Sequence, residues 1–470
     1  MYAYFALHAL IGIALLFAFA QGKRSILWMS GFLLPLAGLV IFVGVAWNWA
    51  KLVPVVLLLA VLLHRRRNPL EELPGIMWLG ILLMYALLVT MWFFAVDHAV
   101  TDKLEMARAL GWGPGQTTYR YAVQGFVYLS SWAMLYVSYA LVQSREDLDA
   151  AIQGFLWGNI FSLSIGMYQS IAQGMGLPWI SYDGQLASML TGNLGVRSRI
   201  ALFDLGGGVS ISRLYGLGGE PKHTAAFAVM ALNIVLARSM FPNQQKDTAR
   251  MLTFLLLGLV MTLSTSGWVG ALLVSAILLA WSARLGLSRN ASGKPARFVL
   301  LVAVGTGVLL SLIAVIDPSS RERLIESRIQ ERLDPGLTSA QRHEAKDGAY
   351  LTMLREYPER SLVGHGVGGA DFFIIEYAPR EILKSGGTLT PTYLTTRTLA
   401  DLGLVGAFLT LWLFWAWIAA TPVTASGAGK GFLLAGSIAV WLQPAVVFST
   451  YLFLVGAFLG FARSQKRAHV

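Results

Sequence analysis

No cysteine occurs among the 470 residues. That absence excludes disulfides, thiol nucleophiles and thiolate metal sites, and it suits a chain whose largest loop faces an oxidising compartment. Charge is scarce too. Charged residues make up 13% of the chain against 56% hydrophobic, with a mean hydropathy of +0.61, which excludes an ordinary soluble domain. The seven histidines are scattered and none stands in an HExxH pattern, so neither a metal site nor any cofactor is expected. Tandem repeats and low-complexity tracts are also missing. No charged segment precedes the first apolar run, and no small-residue cleavage site follows it. Residues 4–20 therefore read as a retained helix rather than a signal peptide.

What is abundant is apolar sequence in runs near the ~20 residues that a bilayer crossing needs. Candidate spans are 4–20, 26–46, 48–63, 74–96, 121–142, 151–173, 223–240, 251–266, 267–284, 298–316, 394–419, 431–447 and 448–462. The pairs over 26–63 and 431–462 have almost no loop between them, so about 12–14 transmembrane helices are expected. Ionisable residues are nearly absent inside these spans, which argues against an ion-coupled transporter. The short loops with Lys23/Arg24, Arg65, Arg66 and Arg67, Lys246/Arg250, Arg284/Arg289/Lys294/Arg297 and Arg463/Lys466/Arg467 alternate with the rest and fall on one side. The positive-inside rule makes that side cytoplasmic, and the whole net charge of +11 lies there. Basic residues spread over many short loops form no nucleic-acid face, despite a pI near 9.8.

The expected architecture is thus an all-α integral membrane protein of the inner membrane with a large, partly helical periplasmic loop. Residues 1–316 would form a membrane domain that includes the outer loop 174–222. Residues 317–393 would form a periplasmic subdomain, and 394–470 the last membrane helices. In the large loop, residues 319–326 start with a capping-type pattern. A helix is expected over 339–357, stopping before Pro358.

Chemistry is expected on the outer face, where charge of both signs is dense. At the end of loop 174–222 the chain reads Arg213-Leu-Tyr-Gly-Leu-Gly-Gly-Glu220-Pro221-Lys222-His223. Glycines admit a bulky ligand to the backbone, Pro221 starts a helix whose N-terminus favours an anion, and Arg offers a fork that matches phosphate oxygens. An interfacial Gly-rich turn with snorkelling Arg and Lys is the plain alternative. Arg197 and Arg199 either join this electropositive patch or pair with Asp183 and Asp204. In the large loop, Arg342 and His343 lead to Gly364-His365-Gly366-Val367-Gly368-Gly369. No strand–helix unit follows, so this run is not a dinucleotide loop. His343 and His365 are candidate bases near neutral pH, or simply hydrogen-bonded histidines.

These segments resemble the bacterial O-antigen polymerase and ligase superfamily, the Wzy and WaaL type, which includes protein O-oligosaccharyltransferases. The resemblance rests on Arg213-Leu-Tyr-Gly with Glu-Pro-Lys-His, on Leu263-Ser-Thr-Ser-Gly, and on Arg342 through Pro358 to Gly364-x-Gly366-x-Gly368. It rests also on Tyr393-Leu with Ala400-Asp401-Leu-Gly403. It implies a donor glycan on undecaprenyl pyrophosphate, attacked at its anomeric carbon by a hydroxyl of a glycan or lipid A-core acceptor, without metal. Arg213 and Arg342 would stabilise the departing pyrophosphate. Arg197, Arg199, Lys222, His223 and Tyr393 would bind substrate. Membrane lipid and a chain-length regulator are the further implied partners. Ligases of the family carry His-Asn eight or nine residues before the acidic residue of the last motif, where this chain has Thr392-Tyr393. The base is therefore sought among His343, His365, His223 and Glu220, unless deprotonation is unimportant to the reaction. Polymerisation is preferred, ligation is the alternative, and a flippase for a lipid-linked glycan or small anion is the competing class.

Overall fold

The computed structural model describes residues 2–43, 45–64, 70–96, 116–174, 202–206, 209–212, 214, 216–217, 220–240, 248–285, 348, 350–352, 354–369, 391, 393–421 and 427–468. The elements in chain order are α1 (Tyr2–Gln21), α2 (Lys23–Leu33), β1 (Val40–Val43), β2 (Val45–Asn48), α3 (Trp49–His64), α4 (Ile76–Val96), α5 (Gln116–Leu141) and α6 (Arg145–Gly174). There follow β3 (Leu202–Gly206), β4 (Val209–Ser212), α7 (Pro221–Ser239), α8 (Thr248–Met261), α9 (Thr265–Arg284), α10 (Pro358–Val363), α11 (Leu394–Ala420), α12 (Gly427–Ala439) and α13 (Phe448–Ala468). The described chain is predominantly helical, as expected of apolar runs that must pair their backbone groups within one segment.

Segment 26–46 differs from its expected single span. α2 stops at Leu33, a 3-10 turn runs over Leu34–Leu36, and β1 pairs antiparallel with β2. Pro35 cannot donate to a helical ladder, and β-branched Val40 and Ile41 favour extended backbone. The expected break between 251–266 and 267–284 is real. Leu263 takes a φ of 48°, and Ser264 caps α9 by accepting from the Gly267 amide. Likewise α12 and α13 are separated by two 3-10 turns on either side of Pro444. Span 298–316 and the capping pattern at 319–326 lie outside the described residues.

Among the described residues, four helices are long and apolar enough to cross a membrane: Ile76–Ala95, Ser266–Arg284, Leu394–Ala420 and Ala445–Arg467. Three of them carry large exposed apolar side chains, among them Met84 and Trp92 on α4, Val269 on α9, and Phe408 and Trp415 on α11. A water-facing helix would be polar there.

The chain divides into two compact units. Unit 1 comprises Met1–Leu73, Ser131–Arg323 and Thr421–Val470. Its tightest contact is α2 across α6. A Cβ added to Gly154 or Gly158 would run into the backbone of Trp28 or Phe32, and one on Gly31 would lie 2.5 Å from the Ala151 carbonyl. Small residues spaced four apart let the two backbones meet, as in membrane helix pairs. α6 and α7 run antiparallel, because Arg238 at the end of α7 pairs with Asp149 at the start of α6 (2.7 Å). Farther along α6, Ser162 Oγ accepts from the Leu217 amide just ahead of α7 (2.8 Å).

One end of unit 1 gathers charge. Lys23 Nζ donates to Asp147 Oδ2 at 2.7 Å, and Asp147 is buried. Tyr139 Oη donates to the Glu72 carbonyl at 2.7 Å, the Arg463 guanidinium lies 4.4 Å from the Tyr139 ring centroid, and Arg467 pairs with Glu72. Lys23 thus meets Asp147, and Glu72 meets the C-terminal segment. Lys23 and the C-terminal basic residues belong to loops that the charge pattern assigns to one side.

Unit 2 comprises Pro74–Ser130 and Leu324–Ala420, and so holds α4, most of α5, α10 and α11. Trp417 Nε1 donates to the Pro74 carbonyl at 3.1 Å and ties the end of α11 to the start of α4.

Candidate functional site

In unit 2 the glycine run meets a break in α11. Helical backbone at 348, 350–352 and 354–356 ends before Pro358, which then starts the single-turn helix α10. Gly364 follows with φ 82°, and α11 is kinked at Gly403 with φ 62°. The two breaks fit face to face. A Cβ on Gly364 would lie 2.6 Å from the Asp401 carbonyl and the Leu402 and Gly403 amides, and a Cβ on Gly403 would strike the Leu362 carbonyl. Only glycine satisfies both the positive φ and the close approach. Tyr85 Oη, from α4, shares its proton between the Val363 (2.9 Å) and Leu402 (3.1 Å) carbonyls, which the turn and the kink leave outside the helical ladder.

This junction gathers the polar side chains of the unit. The Gly368 amide donates to Asp401 Oδ1 at 3.2 Å, and Arg397 Nε lies 3.5 Å from Asp401 Oδ2. Arg397 also donates through Nη2 to Gln124 Oε1 of α5 at 2.6 Å. The Val367 amide donates to Thr90 Oγ1 of α4 at 2.9 Å. Asp401 is 6% exposed, which is tolerable for a carboxylate that has both an amide donor and a guanidinium partner.

His365 sits at the centre and is fully buried. Its amide donates to the Ala400 carbonyl at 3.0 Å, and its Nδ1 lies 3.1 Å from the same oxygen. A ring nitrogen facing a carbonyl must carry the proton, so in the neutral ring Nε2 holds the lone pair. The Phe93 ring lies 5.9 Å from the His365 ring, and the Arg360 guanidinium covers Phe93 at 4.2 Å. Tyr350 is fully buried as well. Burial pushes its hydroxyl well above the usual range, and the charge of Asp401 pushes the same way.

In unit 1, the described residues of the Gly-rich stretch before α7, Leu214, Gly216 and Leu217, are buried. The Leu214 amide donates to the Met261 carbonyl at 3.0 Å, the Leu217 carbonyl accepts from the Gly38 amide at 2.7 Å, and both leucines are enclosed. Glu220 precedes Pro221 in extended conformation, without a side-chain cap, and pairs with Lys222 at 3.0 Å. His223 stands half-buried in the first turn of α7, and its amide donates to the Glu220 carbonyl at 3.0 Å. Glu220 and Lys222 are thus each other's partner.

Of the expected site residues, Arg197, Arg199, Arg213, Arg342 and His343 lie outside the described residues. Glu220, Lys222 and His223 are together in unit 1. His365 is in unit 2, where Tyr393 stands half-exposed one turn before Arg397 and accepts from its amide at 2.9 Å. The chain pattern alone did not single out Arg397, Gln124, Thr90 or Tyr350. A signal for Arg397 existed: it lies with Asp401 one helical turn apart inside an apolar span, where a charge is costly without a task. Among the described residues no cluster of three or more His, Asp or Glu could hold a metal ion.

Compared with known proteins, the chain matches no family model and no curated protein.

Proposed function

We propose that this protein is an inner-membrane glycosyltransferase that polymerises undecaprenyl-pyrophosphate-linked repeat units of a surface polysaccharide at the periplasmic face. The observation that carries the reading is His365, buried beside the kink of α11 with Nδ1 3.1 Å from the Ala400 carbonyl, which leaves Nε2 as the ring nitrogen that can take a proton. In the reaction the oxygen of an acceptor sugar hydroxyl attacks the anomeric carbon of the donor. Its proton passes to His365 Nε2. The anomeric C–O bond to phosphate breaks, and the electron pair leaves with the lipid pyrophosphate. Arg213 and Arg342 stabilise that leaving group through charge-assisted hydrogen bonds. The four long apolar helices support membrane insertion, and the charge pattern supports the orientation.

Ligation to lipid A-core is the second reading. His365 favours it, because its anchor at Ala400 lies within nine residues of the Thr392-Tyr393 pair that stands where ligases carry His-Asn. The test is purified protein with lipid-linked repeat units, the products sized on a gel. Ladders longer than one unit are expected. No change in product length with adequate donor and acceptor overturns polymerisation. In cells, a knockout that keeps polymer length but leaves polymer off its final acceptor points to the ligase instead.

A further inference from the structure

In the interior of unit 1, α7 carries an amide that its neighbours satisfy at one end only. Asn233 is 1% exposed, and its Nδ2 donates to the Phe432 carbonyl of α12 at 3.0 Å. A carbonyl can only accept, so the amide cannot be turned round and Oδ1 is the end left over. Oδ1 is buried and has no hydrogen-bond partner among the described residues, whereas buried polar atoms are nearly always satisfied. A leucine would fill a similar volume there without an unmet acceptor. A second polar group lies against the same spot. Ser437 of α12 and Tyr451 of α13 are both buried, and their hydroxyls share a hydrogen bond of 2.6 Å. Gly436 joins the two sets: a Cβ there would stand 3.0 Å from Asn233 Nδ2 and 2.9 Å from Tyr451 Cε2. An orphaned acceptor and a hydroxyl pair thus border one glycine where three helices meet.

We propose that this junction is a binding site for one buried water, which donates one proton to Asn233 Oδ1 and the other to the Ser437 hydroxyl oxygen. Internal waters serve such groups, making about three hydrogen bonds each, and a hydroxyl oxygen keeps acceptor capacity after its first bond. The water ties α7 to α12 and, through the hydroxyl pair, to α13. It also fixes their register, because a slide along the helix axis would set the amide and the hydroxyls against apolar side chains. The site lies in unit 1 and takes no part in the proposed transfer reaction.

The experiment is X-ray radiolysis of the full chain in detergent, read by mass spectrometry, because hydroxyl radicals made from a bound water label the side chains beside it. Tyr451 and Phe432 are the reporters, and Phe227 and Phe453 are equally enclosed controls. With rates corrected for intrinsic reactivity, the reporters of the wild type should be labelled several-fold faster than the controls. In Asn233→Leu they should fall to the control rate. Ser437→Ala, which leaves the amide in place, should lower them as well and keeps the test decisive if Asn233→Leu does not fold. Reporters at the control rate in the wild type overturn the proposal. So does fast labelling that both variants leave unchanged, since the water reaching Tyr451 is then not held by these groups. Thermal unfolding in sodium chloride against choline chloride separates the other occupant that an amide oxygen suits. A Tm raised by sodium alone, and not in Asn233→Leu, would put a monovalent cation on Oδ1 and overturn the assignment to water.

Discussion

Each histidine and arginine of the proposed reaction makes a separate claim. His365 Nδ1 faces a carbonyl, so a side chain that keeps only the Nδ1 hydrogen bond preserves the anchor and loses the base. His365→Asn places an amide NH2 near that position, and elongation should fall roughly 10²–10⁴-fold with protein yield maintained. Elongation at wild-type rate would return His365 to a purely structural role. Arg213 tests the donor side. Removing one preorganised donor to a developing anion costs about 2.7–4 kcal/mol in the transition state. Arg213→Lys keeps the charge but loses the planar fork, so it should stay roughly 10²-fold or more below wild type in the same gel assay. Normal polymer from a well-expressed Arg213→Ala strain would remove the pyrophosphate clamp from the mechanism.

At the scale of elements, the site exists because two chain breaks interlock. α11 would be a plain apolar helix without the kink at Gly403, and the 364–369 turn would have no groove to enter. Gly403→Ala puts a Cβ on a residue with φ 62° and drives it into the Leu362 carbonyl. Strain and overpacking together should cost about 3 kcal/mol. The expected result is a clear drop in Tm in detergent, with loss of elongation, because Asp401 and His365 are held by that contact. A wild-type Tm would mean that the kink relaxes into a regular helix without cost. The α2–α6 crossing works on the same principle with helical glycines. Gly154 and Gly158 give way to the Trp28 and Phe32 backbones, which brings Lys23 to the buried Asp147.

At the scale of the whole molecule, the question is which loops face which side. The charge pattern groups the loop with Lys23 and Arg24 with the C-terminal basic residues, and in unit 1 Lys23 pairs with Asp147 and Arg467 with Glu72. The expected outcome follows from single cysteines, which need no background removed in a chain that has none. A cysteine at Ser339 should react with an impermeant thiol reagent in intact spheroplasts. One at Ser144 should react only after the inner face is opened. The reverse pattern would invert the topology and move the proposed chemistry to the wrong compartment.

The sequence by itself determined the helical class, most positions of the described helices and the break before Ser264. These follow from local composition and from a bilayer-length period, both of which act within a few turns of chain. It also pointed to the Gly364–Gly369 run and to His365, because glycines and a titratable ring stand out in an apolar context. The segment 26–46 reads as one span in sequence but is not, since hydropathy does not separate an apolar hairpin from a helix when a proline is the main local signal. Only the tertiary structure decided what surrounds His365. Asp401, Phe93 and Thr90 come from segments up to hundreds of residues apart, and no local period encodes their meeting. It is set by the fit of the Gly364 turn into the Gly403 kink, a matter of shape between distant pieces of chain.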